Sequence, residues 1–341
     1  MDLFTHVIFA YLLSFVLWGP ATPWYIAAGA MAGGLPDSDV LFYPLAKRFP
    51  LLRHHGITHS ILGATAVAGA GSVIVPYILA PFIPGTPTDL AAGTTLRFFV
   101  AMLLGGLSHV FLDGFTHFSV PPLAPFSHRE FALHADRAIN LGMTALTVAT
   151  LVTLIWENRN PSVVPVSLWI ETAWVLVVIY GGYLVARGLG RWRAGEARAS
   201  GGYSAVIPTG NPVVWFLVDE TITPERYHLR YRRYVLGKGY TMPERTVDVA
   251  KSPRGTGPVL TPQEALNRSY APAMQKNGFL HSSYHFGEAE RKGAFFEVVW
   301  YSIEFAMLGR APGVRVRVEA ESGKVQFVGG NFLRPPAAAG I

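Results

Sequence analysis

The chain of 341 residues contains no cysteine. Disulfides and thiolate ligands are therefore excluded, and any bound metal must be held by histidine, carboxylate or carbonyl groups. A reducing compartment is compatible with that absence. Charge is scarce in the first half: residues 1–186 hold seven Lys/Arg and nine Asp/Glu, a net of −2. There is no glycine-rich nucleotide fingerprint and no Gly-x-Ser-x-Gly elbow, so the sequence makes no case for those two chemistries. No basic-aromatic pattern argues for nucleic acid as a partner. The N-terminus lacks a basic region, its first charged residue being Asp2, so no secretory signal is expected.

What the chain has is apolar length. Half of its residues are apolar and the mean hydropathy is +0.31, which points to a membrane protein. Four stretches have about the 20 residues needed to cross a hydrocarbon core: Ile57–Ile83, Thr94–Phe118, Ala138–Trp156 and Val164–Leu189. Two shorter ones, Leu3–Trp18 and Trp24–Gly34, precede them, divided by Gly19-Pro20-Ala21-Thr22-Pro23. Six helices are expected: the four long stretches as spans, and the two short ones as a tight hairpin that either spans or enters only partly. Basic residues favour one side: Lys47, Arg48 and Arg53, then Arg129 and Arg137, then Arg187, Arg191, Arg193 and Arg198. The positive-inside rule makes that side the cytoplasm, with the N-terminus, in a multi-pass inner (cytoplasmic) membrane protein.

Residues 187–341 differ in kind. They carry 21 Lys/Arg against 13 Asp/Glu, a net of +8, a charge that anionic headgroups attract. Two domains follow: an all-α membrane domain over 1–190 and a small β-rich or α+β soluble domain over 200–335 on the cytoplasmic side. Gly313–Glu319 alternates like a half-buried strand, and Val325–Val328 returns after a turn to make a hairpin. Arg226–Leu236 and Ala294–Ser302 are further strands. Pro262–Lys276 reads as a helix with Thr261 as N-cap and Glu264 as its box partner. Asn211-Pro-Val-Val-Trp215 reads as a turn into a strand, and His281-Ser-Ser-Tyr-His285 as structural. The Pro335–Ile341 tail is expected to be disordered.

The chemistry is concentrated in the membrane domain. Eight of the eleven histidines lie within residues 1–134: His6, His54, His55, His59, His109, His117, His128 and His134. Asp37, Asp39, Asp113 and Asp136 accompany them. The expected topology puts each at the cytoplasmic end of a helix or in a cytoplasmic loop, which scattered core histidines have no reason to do. In His109-Val-Phe-Leu-Asp113-Gly-Phe-Thr-His117 the spacing i, i+4, i+8 stacks two histidines and a carboxylate on one helical face. Polar groups in apolar segments are costly and usually functional. His55 and His59 repeat the i, i+4 spacing at the start of the third segment, with His54 an alternative to His55. Asp37 and Asp39 close the second as a turn, and either can supply a bridging carboxylate. The His/Asp mixture suits zinc first, then manganese or iron.

Taken together, His6, Pro36-Asp37-Ser-Asp39, His54-His55-Gly-Ile-Thr-His59-Ser and Ser108-His109-x3-Asp113-x2-Thr116-His117 resemble the LexA-regulated membrane-bound metal-dependent hydrolase (YdjM-like) family, over about residues 1–190. The ligand order is also similar to that of zinc-dependent phospholipase C. That second resemblance implies His6, Asp37, His59, His109, Asp113 and then His117 or His128 as ligands of two or three zinc ions. The phospholipase pattern ends in His-x3-Glu, whereas His134 is followed at that spacing by Ala138, which favours two metals over three. The resemblances imply a hydrolase of phosphoesters in lipids or headgroups, with Asp37 or Asp113 bridging metals or acting as base. Arg129 and Arg137 are the expected phosphate holders. A metal or proton transporter, or a non-catalytic membrane scaffold, are the competing readings.

Overall fold

The computed structural model describes residues 1–42, 56–79, 92–116, 119–127, 129–137, 140–159, 165–223, 225–250, 260–276, 285–302 and 311–333. The chain divides into two compact units, Met1–Leu189 and Gly190–Ile341.

The first unit is helical. Helix α1 spans Leu3–Trp18; the Asp2 side chain caps its start by accepting from Thr5 N at 3.0 Å, and Gly19, with φ of 73°, closes it. Helix α2, Pro23–Gly34, begins on a proline, whose missing N–H costs nothing in the first turn. A 3-10 segment, Pro36–Phe42, follows it, and a second, Ile57–His59, precedes α3, Ile61–Val73, which continues as a π turn over Ile74–Leu79. Helices α4, Ala92–Phe115, α5, Leu141–Arg159, and α6, Val166–Gly201, complete the set. The helical membrane domain followed by antiparallel sheets is the fold class expected from the sequence.

The element bounds refine the sequence reading in two places. Among the described residues, three helices are long and apolar enough to cross a membrane: Ile61–Ile78, Gly93–Phe115 and Val166–Gly201. The expected span at Ala138–Trp156 is described from Leu141, and the apolar part of that helix, Leu141–Glu157, is shorter than these three. The third segment, expected from Ile57, becomes α-helical only at Ile61. Ser60 is extended (φ −121°, ψ 162°) and its hydroxyl accepts from Gly63 N at 3.0 Å, so the helix starts at Ile61.

Helix α4 is central, packed against α1, α2 and α3. Small residues bring these helices together. A methyl group on Gly105 would sit 2.1 Å from the Gly29 carbonyl oxygen, one on Gly29 would sit 2.0 Å from Ser14 Oγ, and one on Gly33 would sit 2.5 Å from Ala10 Cβ. Gly29-x3-Gly33 is thus a small-residue face on which α1 and α4 close in. Two apolar clusters flank it: one of α1, α4, α5 and α6 residues with Ile26, around Leu12, Leu112 and Tyr180, and one of α2, α3 and α4 residues around Tyr25, Phe98 and Met102.

The second unit carries two antiparallel sheets. In the first, β1 (Ala205–Pro208), β2 (Val214–Ile222), β3 (Arg226–Val235) and β4 (Gly239–Tyr240) pair in order, and β5 (Arg245–Ala250) also pairs with β3. The second is a meander of β6 (His285–Lys292), β7 (Phe295–Ser302), β8 (Ala311–Glu319) and β9 (Val325–Leu333). Between the sheets in sequence lies α7, Pro262–Lys276, with its reciprocal capping box: Thr261 N donates to Glu264 Oε2 at 2.7 Å and Glu264 N to Thr261 Oγ1 at 3.2 Å. Residues of both sheets and α7 share one core, in which Trp300 Nε1 donates to Ser269 Oγ. Trp215 is buried in a smaller cluster with Ala194, Tyr203, Val206 and Leu217. His285 opens β6, while His281 and the Pro335–Ile341 tail lie outside the described residues.

Candidate metal centre

Three segments of the chain bring four residues, Asp37, His59, His109 and Asp113, together, with one donor atom of each within 4.8 Å of the others. Asp37 comes from the 3-10 segment after α2, His59 from the one before α3, and His109 and Asp113 from successive turns of α4. His59 Nε2 lies 3.5 Å from both Asp37 Oδ1 and Asp113 Oδ2. His109 Nε2 lies 3.7 Å from Asp37 Oδ1 and 3.3 Å from Asp113 Oδ2. Imidazoles thus alternate with carboxylates around a small ring. A tetrahedral ion with metal–nitrogen distances of about 2.0–2.1 Å holds its ligands about 3.3 Å apart. The ring matches that span, and its two nitrogens and two oxygens are a donor set that zinc, manganese or iron accepts.

The surroundings fix which ring nitrogen faces inward. His109 Nδ1 donates to the Gly33 carbonyl at 2.8 Å, which leaves Nε2 buried, with no hydrogen bond and aimed into the ring. His59 Nδ1 lies 3.3 Å from Asp39 Oδ2, and Thr58 Oγ1 donates to the same oxygen at 2.7 Å. The two aspartates of Pro36-Asp37-Ser-Asp39 therefore divide the work: Asp37 faces the cluster and Asp39 orients one of its histidines from behind. A methyl on Gly63 would meet the Ile57 carbonyl oxygen at 2.0 Å, so the close turn that presents His59 depends on a glycine one turn into α3.

Burial opposes a charge on His59, but its contacts with Asp37 and Asp39 prevail and push the imidazole up to about 9. Burial likewise opposes charge on Asp37, and His59 outweighs it, holding the carboxyl below its usual range. An entering cation must displace the His59 proton. Metal affinity is accordingly expected to rise with pH until about 9 and then level. In Asp39→Asn the levelling should come at lower pH, with affinity down about 10–100-fold, the usual cost of losing an orienting partner. Calorimetric titration with zinc across pH 6–10 reads both; identical curves would remove Asp39 from this role.

His6 sits against the cluster on its far side. Its Nε2 is 3.1 Å from Asp113 Oδ1, and its ring stacks on His109 with centroids 3.8 Å apart. The Met1 amino group contacts the same oxygen. Asp113 thus turns Oδ2 to the two cluster imidazoles and Oδ1 to His6. Asp37 is the most open of the four, its side chain 18% exposed against 2% for Asp113.

His54, His55, His117 and His128 lie outside the described residues. Helix α4 ends at Phe115, so the expected three-residue face shortens to His109 and Asp113, and Thr116 pairs instead with Asp136. Arg129 is exposed on the loop after α4, whereas Arg137 is buried beside Asp136. Asp136 is the hub of a separate buried network. It pairs with Arg187 at 3.0 Å and accepts from Tyr183 OH at 2.8 Å and Asn140 Nδ2 at 2.5 Å. The sequence reading assigned Arg187 only a topological role. Its isolated charge near the end of a long apolar run was the available signal.

A family model described as YdjM inner membrane protein matches residues 1–193. No curated protein matches the chain, and no solved structure does.

Proposed function

The chain belongs to the YdjM inner membrane protein family, and on that premise we propose that it is a membrane-embedded metal-dependent hydrolase, akin to phospholipase C, acting on phosphoesters of lipids or their headgroups. The observation that carries the reading is the buried ring of Asp37, His59, His109 and Asp113. Four ionisable groups placed at helix ends in a membrane protein are costly unless they bind something together. A divalent ion held there, zinc by first preference, supplies Lewis acidity toward water and phosphoryl oxygen.

The protein side chains have distinct parts. His59 and His109 hold through Nε2, each oriented through Nδ1 by Asp39 and by the Gly33 carbonyl. Asp113 holds through Oδ2 and is itself steadied by His6. Asp37 would supply the fourth donor through Oδ1 and, as the carboxylate with access to solvent, is the base that takes a proton from the attacking water. Arg129, exposed beyond α4, is free to meet a phosphate. The position of the cluster at the helix ends favours hydrolysis over transport, since transport sites lie near the midplane.

The experiment is turnover of a chromogenic phosphodiester by zinc-loaded protein in nanodiscs, wild type beside Asp37→Asn. Loss of the base should lower kcat by about 100-fold or more while the protein stays folded. Equal turnover in the two proteins would refute the assignment of Asp37, and no turnover of any phosphoester by metal-loaded wild type would refute the hydrolase.

A further inference from the structure

The loop after α4 carries an apolar surface that the cluster chemistry leaves unused. Val120 and Phe131 exchange two backbone hydrogen bonds, of 3.0 and 2.8 Å, that pinch the loop into a narrow ribbon. The ribbon is rooted on both sides of the metal centre. Leu133 N donates at 2.7 Å to the carbonyl of Gly114, the residue after Asp113. Ile61 N, two residues beyond His59, donates at 3.0 Å to the carbonyl of Pro122. Between these anchors Leu123, Phe126 and Phe131 stand 57%, 85% and 50% exposed. Large apolar side chains gathered on an ordered ribbon mark a contact surface.

What covers them follows from continuity with α4. Leu104 and Phe111, seven residues apart and so on nearly the same face, are exposed along that membrane-spanning helix. Phe131 rests on Gly114, within 3.2 Å of where a methyl group would stand, three residues on from Phe111. The lipid-facing column of α4 therefore passes onto the ribbon. Arg129 is exposed on the same ribbon. Phenylalanine and leucine side chains beside a cation are what the boundary between headgroups and acyl chains accommodates.

We propose that the ribbon is an interfacial wedge: Leu123, Phe126 and Phe131 lie among the headgroups and upper acyl chains of the membrane, Arg129 engages a lipid phosphate, and a phospholipid reaches the metal centre sideways from the bilayer. The last clause rests on the hydrolase reading; the insertion of the wedge does not.

The absence of cysteine makes the test direct. Phe126→Cys carries a single polarity-sensitive fluorophore, in nanodiscs of phosphatidylcholine and phosphatidylglycerol, with Ser322→Cys in the second unit as control. The Phe126 label should emit as in an apolar medium and be quenched by lipids spin-labelled near the headgroup, and the control should not. Water-like, unquenched emission at position 126 would overturn the wedge. In a second arm, Phe126→Asp should slow hydrolysis of bilayer phospholipid about tenfold, the order expected for one aromatic side chain kept from an apolar phase. A short-chain soluble phospholipid should be cleaved as fast as by wild type. An equal loss on both substrates would overturn lateral delivery. An inserted label in a wild-type protein that cleaves neither substrate would strike the hydrolase reading and leave the wedge.

Discussion

Asp113→Ala is expected to empty the metal centre. Asp113 supplies one of the four donors and one of the two carboxylates that offset a cation's charge. Its Oδ2 lies 3.3 Å from His109 Nε2 and 3.5 Å from His59 Nε2, and its Oδ1 holds His6. Without it, three imidazoles are left close together with Asp37 as the remaining cluster carboxylate. The loss of affinity should exceed the roughly 10–100-fold that follows from losing an orienting partner alone. Elemental analysis of nanodisc-purified protein, beside Asp113→Asn as the isosteric variant, gives the answer. A folded Asp113→Ala protein that retains a full complement of zinc would show that the ring is not the binding site.

The second large effect is on stability. Asp136 and Arg187 are buried and 3.0 Å apart, and Tyr183, Asn140 and the Arg137 amide complete the shell of the carboxylate. Asp136→Ala takes the carboxylate from a buried guanidinium, and breaking a buried pair in this way costs about 3–5 kcal/mol. Most of that should return in the double variant Asp136→Ala/Arg187→Met, because the charge leaves with its partner. Thermal unfolding in detergent, followed by near-UV ellipticity, compares the single and double variants. Additive losses would mean that the two side chains do not act as a pair.

How much of this was legible beforehand depended on the kind of signal. The ligand types and the spacing of His109 and Asp113 could be read directly, because two residues four apart in a helix share a face whatever else the chain does. The capping box at Thr261 and Glu264 was legible for the same reason: it is complete within four residues. The division between Asp37 and Asp39 was not. Both sit in one short segment, and only the position of His59, set by the Ser60 cap and the Gly63 close approach, decides which carboxylate faces inward. The spacing of His109, Asp113 and His117 extends the expected helix past Phe115, while the Phe115 carbonyl instead accepts from the Ala135 and Asp136 amides. The Gly29-x3-Gly33 face is present in the sequence only as a spacing. Small residues announce close packing only when the neighbouring helices are known.

The Gly33 carbonyl, which orients His109, belongs to the same helical face that lets α1 and α4 close on α2. In the order of synthesis, every residue of the metal ring has been made once the ribosome has passed Asp113. Arg187 emerges only later, to pair with Asp136. The nascent membrane domain therefore possesses all four residues of the candidate cluster before it possesses the ion pair that joins α6 to the loop before α5.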